Sequence, residues 1–181
     1  MNAIRLLRTI ALFLVLSLGF SSGAQAQIAD AELTPLIDAL APGSFKDRAT
    51  AIDALVASGD PRAVPVLWVL LEGELYVDEA SGKTVFTAQS GGKGVRSDPV
   101  TGEELPTLTD VKLDKVKVNN SLRRTLRTAI GQMTLLSQKN DVRLAAAQSI
   151  LRDADPDNLE LLDSAIAAET SPDIERVMRQ A

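Results

Sequence analysis

The stretch "SGDPRAVPVL", Ser58 to Leu67, reads as a helix stop followed at once by a helix start, and "DADPDNLELL", Asp153 to Leu162, has the same shape. The whole of Arg48–Glu74 aligns without gaps on Arg143–Glu169 at a constant offset of 95 residues. Arg48 meets Arg143, Leu55 meets Ile150, Asp60-Pro61 meets Asp155-Pro156, and Glu74 meets Glu169. Val64, Val66 and Leu67 meet Leu159, Leu161 and Leu162. Each copy reads as helix, tight corner, helix. Asp suits the N-cap because its carboxylate accepts the unpaired N–H groups of the first turn, and Pro suits the next position because it has no N–H to leave unpaired.

In the first copy Phe45, Ala49, Ile52 and Leu55/Val56 fall on one stripe at spacings of three and four. "AVPVLWVLL" is apolar on nearly every side, so it is expected to be buried between neighbours, with Trp68 in the core rather than stacked on a ligand. Pro65 predicts a slight kink near its start. "NNSLRRTLRTAIGQMTLL" is a further helix with Leu122, Leu126, Ala129/Ile130 and Met133 inward, capped by an Asn or Ser of the Asn119-Asn120-Ser121 triplet, whose glycosylation sequon is read as accidental. "SPDIERVMRQA" starts at a Ser-Pro corner, and "DAELTPLIDALA" is a short leading helix.

The fold class is therefore mostly α. Paired helices stack because each pair cannot bury its apolar face alone. The pattern resembles HEAT-like repeats, with an ordinary helical bundle carrying a repeated corner as the alternative. Between the copies, residues 75–118 break the helical period. Leu75–Val77 and Thr84–Thr87 predict a β-hairpin about a turn at 79–83, "SGGKG" at 90–94 a flexible link, and "DPVTGEEL" at 98–105 a second turn using Gly102. The two helix pairs are expected to share one apolar interior, with the insertion projecting as a recognition arm.

The start of the chain bears on compartment. Arg5 and Arg8 precede an apolar run from Ile10 to Phe20, and "AQA" at 24–26 suits signal peptidase cleavage after Ala26. The expectation is residues 1–26 as a signal peptide, an uncleaved anchor being the alternative, then a single domain over 27–181 in the periplasm. The net charge is −5, and the removed segment would hold two Arg and no acid, so the remainder is more acidic still. That argues against nucleic acid as a partner.

The chain has no Cys and no His. Disulfides, imidazole bases, thiolate nucleophiles, Ser-His-Asp triads and the usual zinc ligand sets are excluded. Carboxylates, lysine and hydroxyls remain, and the expectation is a protein that is not an enzyme and carries no cofactor or metal. Asp153, Asp155 and Asp157 imitate the start of a calcium loop, but Asn158 and Ser164 stand where Gly and Glu are required, so a capped corner is preferred. "SGGKG" lacks the Ser/Thr and the following helix of a phosphate loop. Lys112, Lys115, Lys117, Arg123, Arg124 and Arg127 form the one basic concentration, suited to an acidic partner surface or lipid headgroups, or simply to a solvated helix face.

"LLEGELYVDEASGKTVF" (70–86), "DPVTGEELP" (98–106) and "VKVNNSLRRTLRTAIGQMTLLSQKNDVRLAAAQSIL" (116–151), in that order, resemble the periplasmic N-terminal extension of the urea ABC-transporter permease, of the branched-chain amino-acid permease group. The resemblance runs from about Ile28 to the end. It departs from the family in that the permease's membrane helices are not in this sequence, which would make the chain a fragment, a split gene product or a free-standing relative. It implies a non-catalytic periplasmic module of urea import, whose partners are the permease and the periplasmic binding protein, and which meets a membrane only through a partner or a missing permease half. The contact residues put forward are Tyr76, Phe86, Lys115, Lys117, Arg123 and Arg124. The alternative is a small periplasmic ligand-binding protein, with the insertion closing over a pocket beside Trp68.

Overall fold

The structure, a computed structural model, describes residues 27–89, 91–106, 111–153 and 158–181. Seven α-helices and a small antiparallel sheet make up these residues. Helices α1 (Asp30–Asp38), α2 (Phe45–Ser58) and α3 (Ala63–Leu71) come first. Strands β1 (Tyr76–Asp78), β2 (Thr84–Gln89), β3 (Lys93–Ser97) and β4 (Leu113–Lys115) follow. Helices α4 (Asn120–Leu135), α5 (Asn140–Asp153), α6 (Leu159–Ala168) and α7 (Pro172–Gln180) complete the chain.

The first helix of each sequence copy recurs in the structure at the same offset. Helices α2 and α5 are both 14 residues long and start at Phe45 and Asn140, which are the same 95 positions apart. Buried positions correspond too: Ile52, Leu55, Leu67 and Leu70 in the first unit, Ala147, Ile150, Leu162 and Ala165 in the second. Arg48 and Arg143 play one role. The Arg48 guanidinium donates to the carbonyls of Leu40 and Ala41 just past α1, and the Arg143 guanidinium donates to the carbonyl of Ser137 just past α4. Each arginine satisfies orphan carbonyls at the end of the preceding helix and ties it to the next.

The corner differs from the expected N-cap. The chain turns over Asp60–Ala63, and α3 begins at Ala63 with no side-chain cap. The Asp60 carboxylate does accept the Arg62 backbone N–H at 2.9 Å, but two residues too early to cap the helix. It is fully buried and committed elsewhere, accepting from the Arg62 guanidinium (3.0 and 2.8 Å) and from the Ile28 amide (3.1 Å). The matching Asp155-Pro156 lies outside the described residues. Pro65 falls in the first turn of α3, where the N–H groups are unpaired anyway, so it removes no helical bond. The other caps follow local chemistry. Ser44 and Asp47 form a capping box on α2, left-handed Gly59 ends it, and the Asn119 side chain accepts the Leu122 amide at 2.8 Å to start α4.

Two expectations for apolar residues are overturned. Phe45 is 41 % exposed, because the first turn of α2 extends past the core, and its ring lies under Arg48 at 5.7 Å instead. Trp68 is 45 % exposed. Helix α3 buries Ala63, Val66, Leu67, Leu70 and Leu71 on one side and turns Pro65 and Trp68 outward, so among the described residues its neighbours lie on one side.

The interior is also not shared. One apolar cluster joins α1, α2, α3 and the first three turns of α4, through residues such as Leu33, Ile52, Leu67 and Leu126. A second, smaller one joins Leu135 at the end of α4 to α5, α6 and α7, with Ile174 and Met178 closing it. Alanines at 147 and 165 replace the Ile and Leu of the first unit, so the second has less area to bury and leans on α7.

The insertion holds four strands in the order β3-β2-β1-β4, all antiparallel, with Tyr76 opposite both Val85 and Lys115. The expected hairpin is β1–β2; β3 and β4 were not foreseen. "GG" at 91–92 is the tight turn into β3. A Cβ on Gly92, at φ 74°, would sit 3.0 Å from the Tyr76 ring, so glycine is required there. The insertion is not a free arm. Leu75, Val100 and Val116 belong to the first apolar cluster, and the Thr84 amide and hydroxyl both donate to Asp38 at 2.8 Å. Burial is concentrated at the start of β1 and β2, where Tyr76, Thr84 and Val85 are covered, and falls off toward Gln89, so the sheet docks by that end.

Candidate functional site

Helices α3, α4 and α5 leave a groove where the two units meet, with a volume of about 680 Å³. The wall from α3 carries Trp68, Leu71 and Glu72; the floor from α4 carries Ile130, Gly131 and Thr134; the far wall from α5 carries Val142, Ala146 and Ile150. Arg123 and Arg127 of α4 stand at the rim. No described residue of 75–118 lines it, and among the described residues the insertion does not close over Trp68.

Gly131 leaves room beneath the groove for the side chain of Leu161. A Cβ at this position would overlap Leu161 of α6. Alanine is favoured over glycine in a helix by about 1 kcal/mol, but overpacking costs about 1–3 kcal/mol. Because the clash is with the tip of a half-buried side chain that can turn aside, Gly131→Ala is expected to leave stability nearly unchanged in the wild-type background and to raise it by about 1 kcal/mol in Leu161→Ala, a difference read by urea denaturation of the four proteins.

The structure distributes the predicted contact residues unequally. Tyr76 is buried; its hydroxyl donates to Glu74 at 2.8 Å, and burial first, then Glu74, pushes its pKa up. Lys115 pairs with the same Glu74 at 3.2 Å and lies 5.8 Å over the Tyr76 ring, while the Gly91 amide also donates to Glu74. These residues form a knot fastening the sheet to the end of α3. Phe86 packs against the first apolar cluster. The Arg123 guanidinium donates to the Leu71 carbonyl, which fixes it at the groove edge. Lys117 and Arg124 are exposed. The structure thus brings Tyr76 and Lys115 together, leaves Phe86 half-buried against the core, and places Arg123 and Arg124 on the helix that floors the groove.

The alternative sequence reading did place a pocket beside Trp68, but not its α4 and α5 walls, and because α3 is apolar all round no periodicity marked Trp68 as its outward residue. Gly131 was a usable signal: a glycine inside an otherwise strong helix marks a close approach.

The remaining buried charges are structural. Arg143 and Glu169 pair at 2.7 Å with the carboxylate fully buried, and Arg96 bonds Asp78 at 3.4 Å and the Pro106 carbonyl at 2.7 Å. Of the calcium-like triad, Asp155 and Asp157 lie outside the described residues, as does the expected signal peptide. Among the described residues no helix is long and apolar enough to cross a membrane. No family model matches the chain, and no match is found among curated proteins or solved structures.

Proposed function

We propose that the protein is a non-catalytic, HEAT-like module of a urea ABC import system, acting in the periplasm through contact with the permease and the binding protein. The observation that carries a contact role is the exposed Trp68 at the junction of two repeated helical units, beside arginines of α4. Tryptophan and arginine are the residues most enriched where protein interfaces concentrate their binding energy. The recurrence of helix bounds and buried positions at an offset of 95 supports the repeat reading, and the resemblance of residues 70–151 supports the urea system. Co-purification of the tagged protein with its cognate permease and binding protein is expected to enrich both; enrichment of neither overturns the assignment.

A second reading is a small-ligand binder, favoured by a groove volume within the range of ligand sites. Titrating Trp68 fluorescence with urea, amides and amino acids separates the two. A saturable change favours ligand binding, and a flat response favours the contact module.

A further inference from the structure

We infer that the groove between α3, α4 and α5 receives an acidic, amphipathic segment of a partner protein, its apolar side chains against Trp68 and the α5 wall and its carboxylates on the arginines of α4. This deepens the contact reading above and rests on it.

Three observations point to that occupant. First, the groove joins an apolar lining to a cationic rim: Val142, Ala146 and Ile150 face Trp68, while Arg123 and Arg127 outnumber Glu72. Second, α4 contains no Asp or Glu along Asn120–Leu135, within a chain of net charge −5. Among the described residues none of Arg123, Arg124 and Arg127 forms an ion pair; exposed Arg152 of α5 forms none either, while exposed Arg176 and Arg179 of α7 each hold a carboxylate at 2.6–2.7 Å. A helix of unmatched arginines in an acidic protein is complementary to carboxylates supplied from outside. Third, the charge runs beyond the groove. Arg124 is exposed on the same helix but does not line it, so the cationic surface is longer than the groove. That favours a polypeptide segment over a small anion.

The test uses the full protein and a tryptophan-free synthetic peptide of leucine and glutamate in helical amphipathic order. Its lysine-for-glutamate counterpart, decanoate and vesicles containing phosphatidylglycerol serve as alternative probes. The acidic peptide is expected to shift Trp68 emission saturably, with affinity falling steeply with salt. Arg127→Glu is expected to weaken it at least about tenfold and Arg124→Glu about threefold. Lys46→Glu, on exposed surface of α2 away from the groove, is expected to leave it unchanged. Overturning results are no shift, equal binding of the lysine peptide, loss of Arg127 dependence, or saturable binding of decanoate or vesicles without peptide binding. The outcome separates from that of the assignment above. If wild type and Arg127→Glu co-purify equally with the urea permease and binding protein, the groove inference fails and the assignment stands. If the peptide binds as described but neither component is enriched, the assignment fails and the groove inference stands.

Discussion

Glu169→Ala is expected to destabilise the protein by about 3–5 kcal/mol, the usual cost of removing one partner from a buried ion pair. The Glu169 side chain is fully buried and accepts four hydrogen bonds: two from the Arg143 guanidinium (2.7 and 2.9 Å) and one each from the Thr170 and Ser171 amides (2.8 Å). Arg143 continues to the Ser137 carbonyl and the Asn140 side chain. One carboxylate therefore joins the end of α4, the start of α5 and the α6–α7 turn. Its loss leaves a guanidinium with 12 % exposure held only by Ser137 and Asn140, and the half-buried Ser171 amide without its acceptor. The hydrogen bonds from Arg143, foremost, hold the carboxyl down at about 2, against an ordinary value of 4.5. A lowered folded-state pKa means this stability is fully present above 4.5 and drains as pH falls toward 2. Urea denaturation from pH 7 to pH 2.5 is expected to show a steep acid loss in the wild type and a shallower one in Glu169→Ala. Equal slopes would remove Glu169 from the account.

Asp60→Ala is expected to cost about 3 kcal/mol and to act on the other unit. Its carboxylate takes the Arg62 backbone and guanidinium N–H groups and the Ile28 amide, while Arg62 also donates to the Ile28 carbonyl at 2.7 Å and pairs with Asp30. The Arg62 hydrogen bonds, foremost, lower the Asp60 pKa from its ordinary 3.8, so its contribution is fully present above that value and fades as pH falls below it. The measurement has a local component: hydrogen exchange at the Ile28 amide and along α1 should accelerate more than at α7. Uniform acceleration would argue against Asp60 anchoring the segment before α1.

The repeat was legible because Arg48/Arg143 and the apolar sets around Ile52 and Leu67 recur at one offset, and burial follows the helical period. The β1–β2 hairpin and the Asp98–Gly102 turn were legible because alternation and turn residues are local signals; the Asp98 carboxylate accepts the Val100 and Thr101 amides as such turns require. Strands β3 and β4 were not, since Lys93–Ser97 is largely exposed and Leu113–Lys115 too short to alternate. What Asp60 does was hidden as well. Its partners include Ile28, 32 residues away, and no local rule separates a helix cap from a buried tether. The candidate site depended on which side of α3 lacks a neighbour, a tertiary fact that a uniformly apolar segment does not encode.

Helix α4 gives Leu122, Leu126, Ala129 and Ile130 to one apolar cluster and Leu135 to the other. It acts as a splint between the units, and dissecting the chain at residue 119 or at residue 136 would rob one fragment of a wall and leave the other with a bare hydrophobic flank. Anything that tilts this rod by engaging its arginines would be felt in both interiors at once.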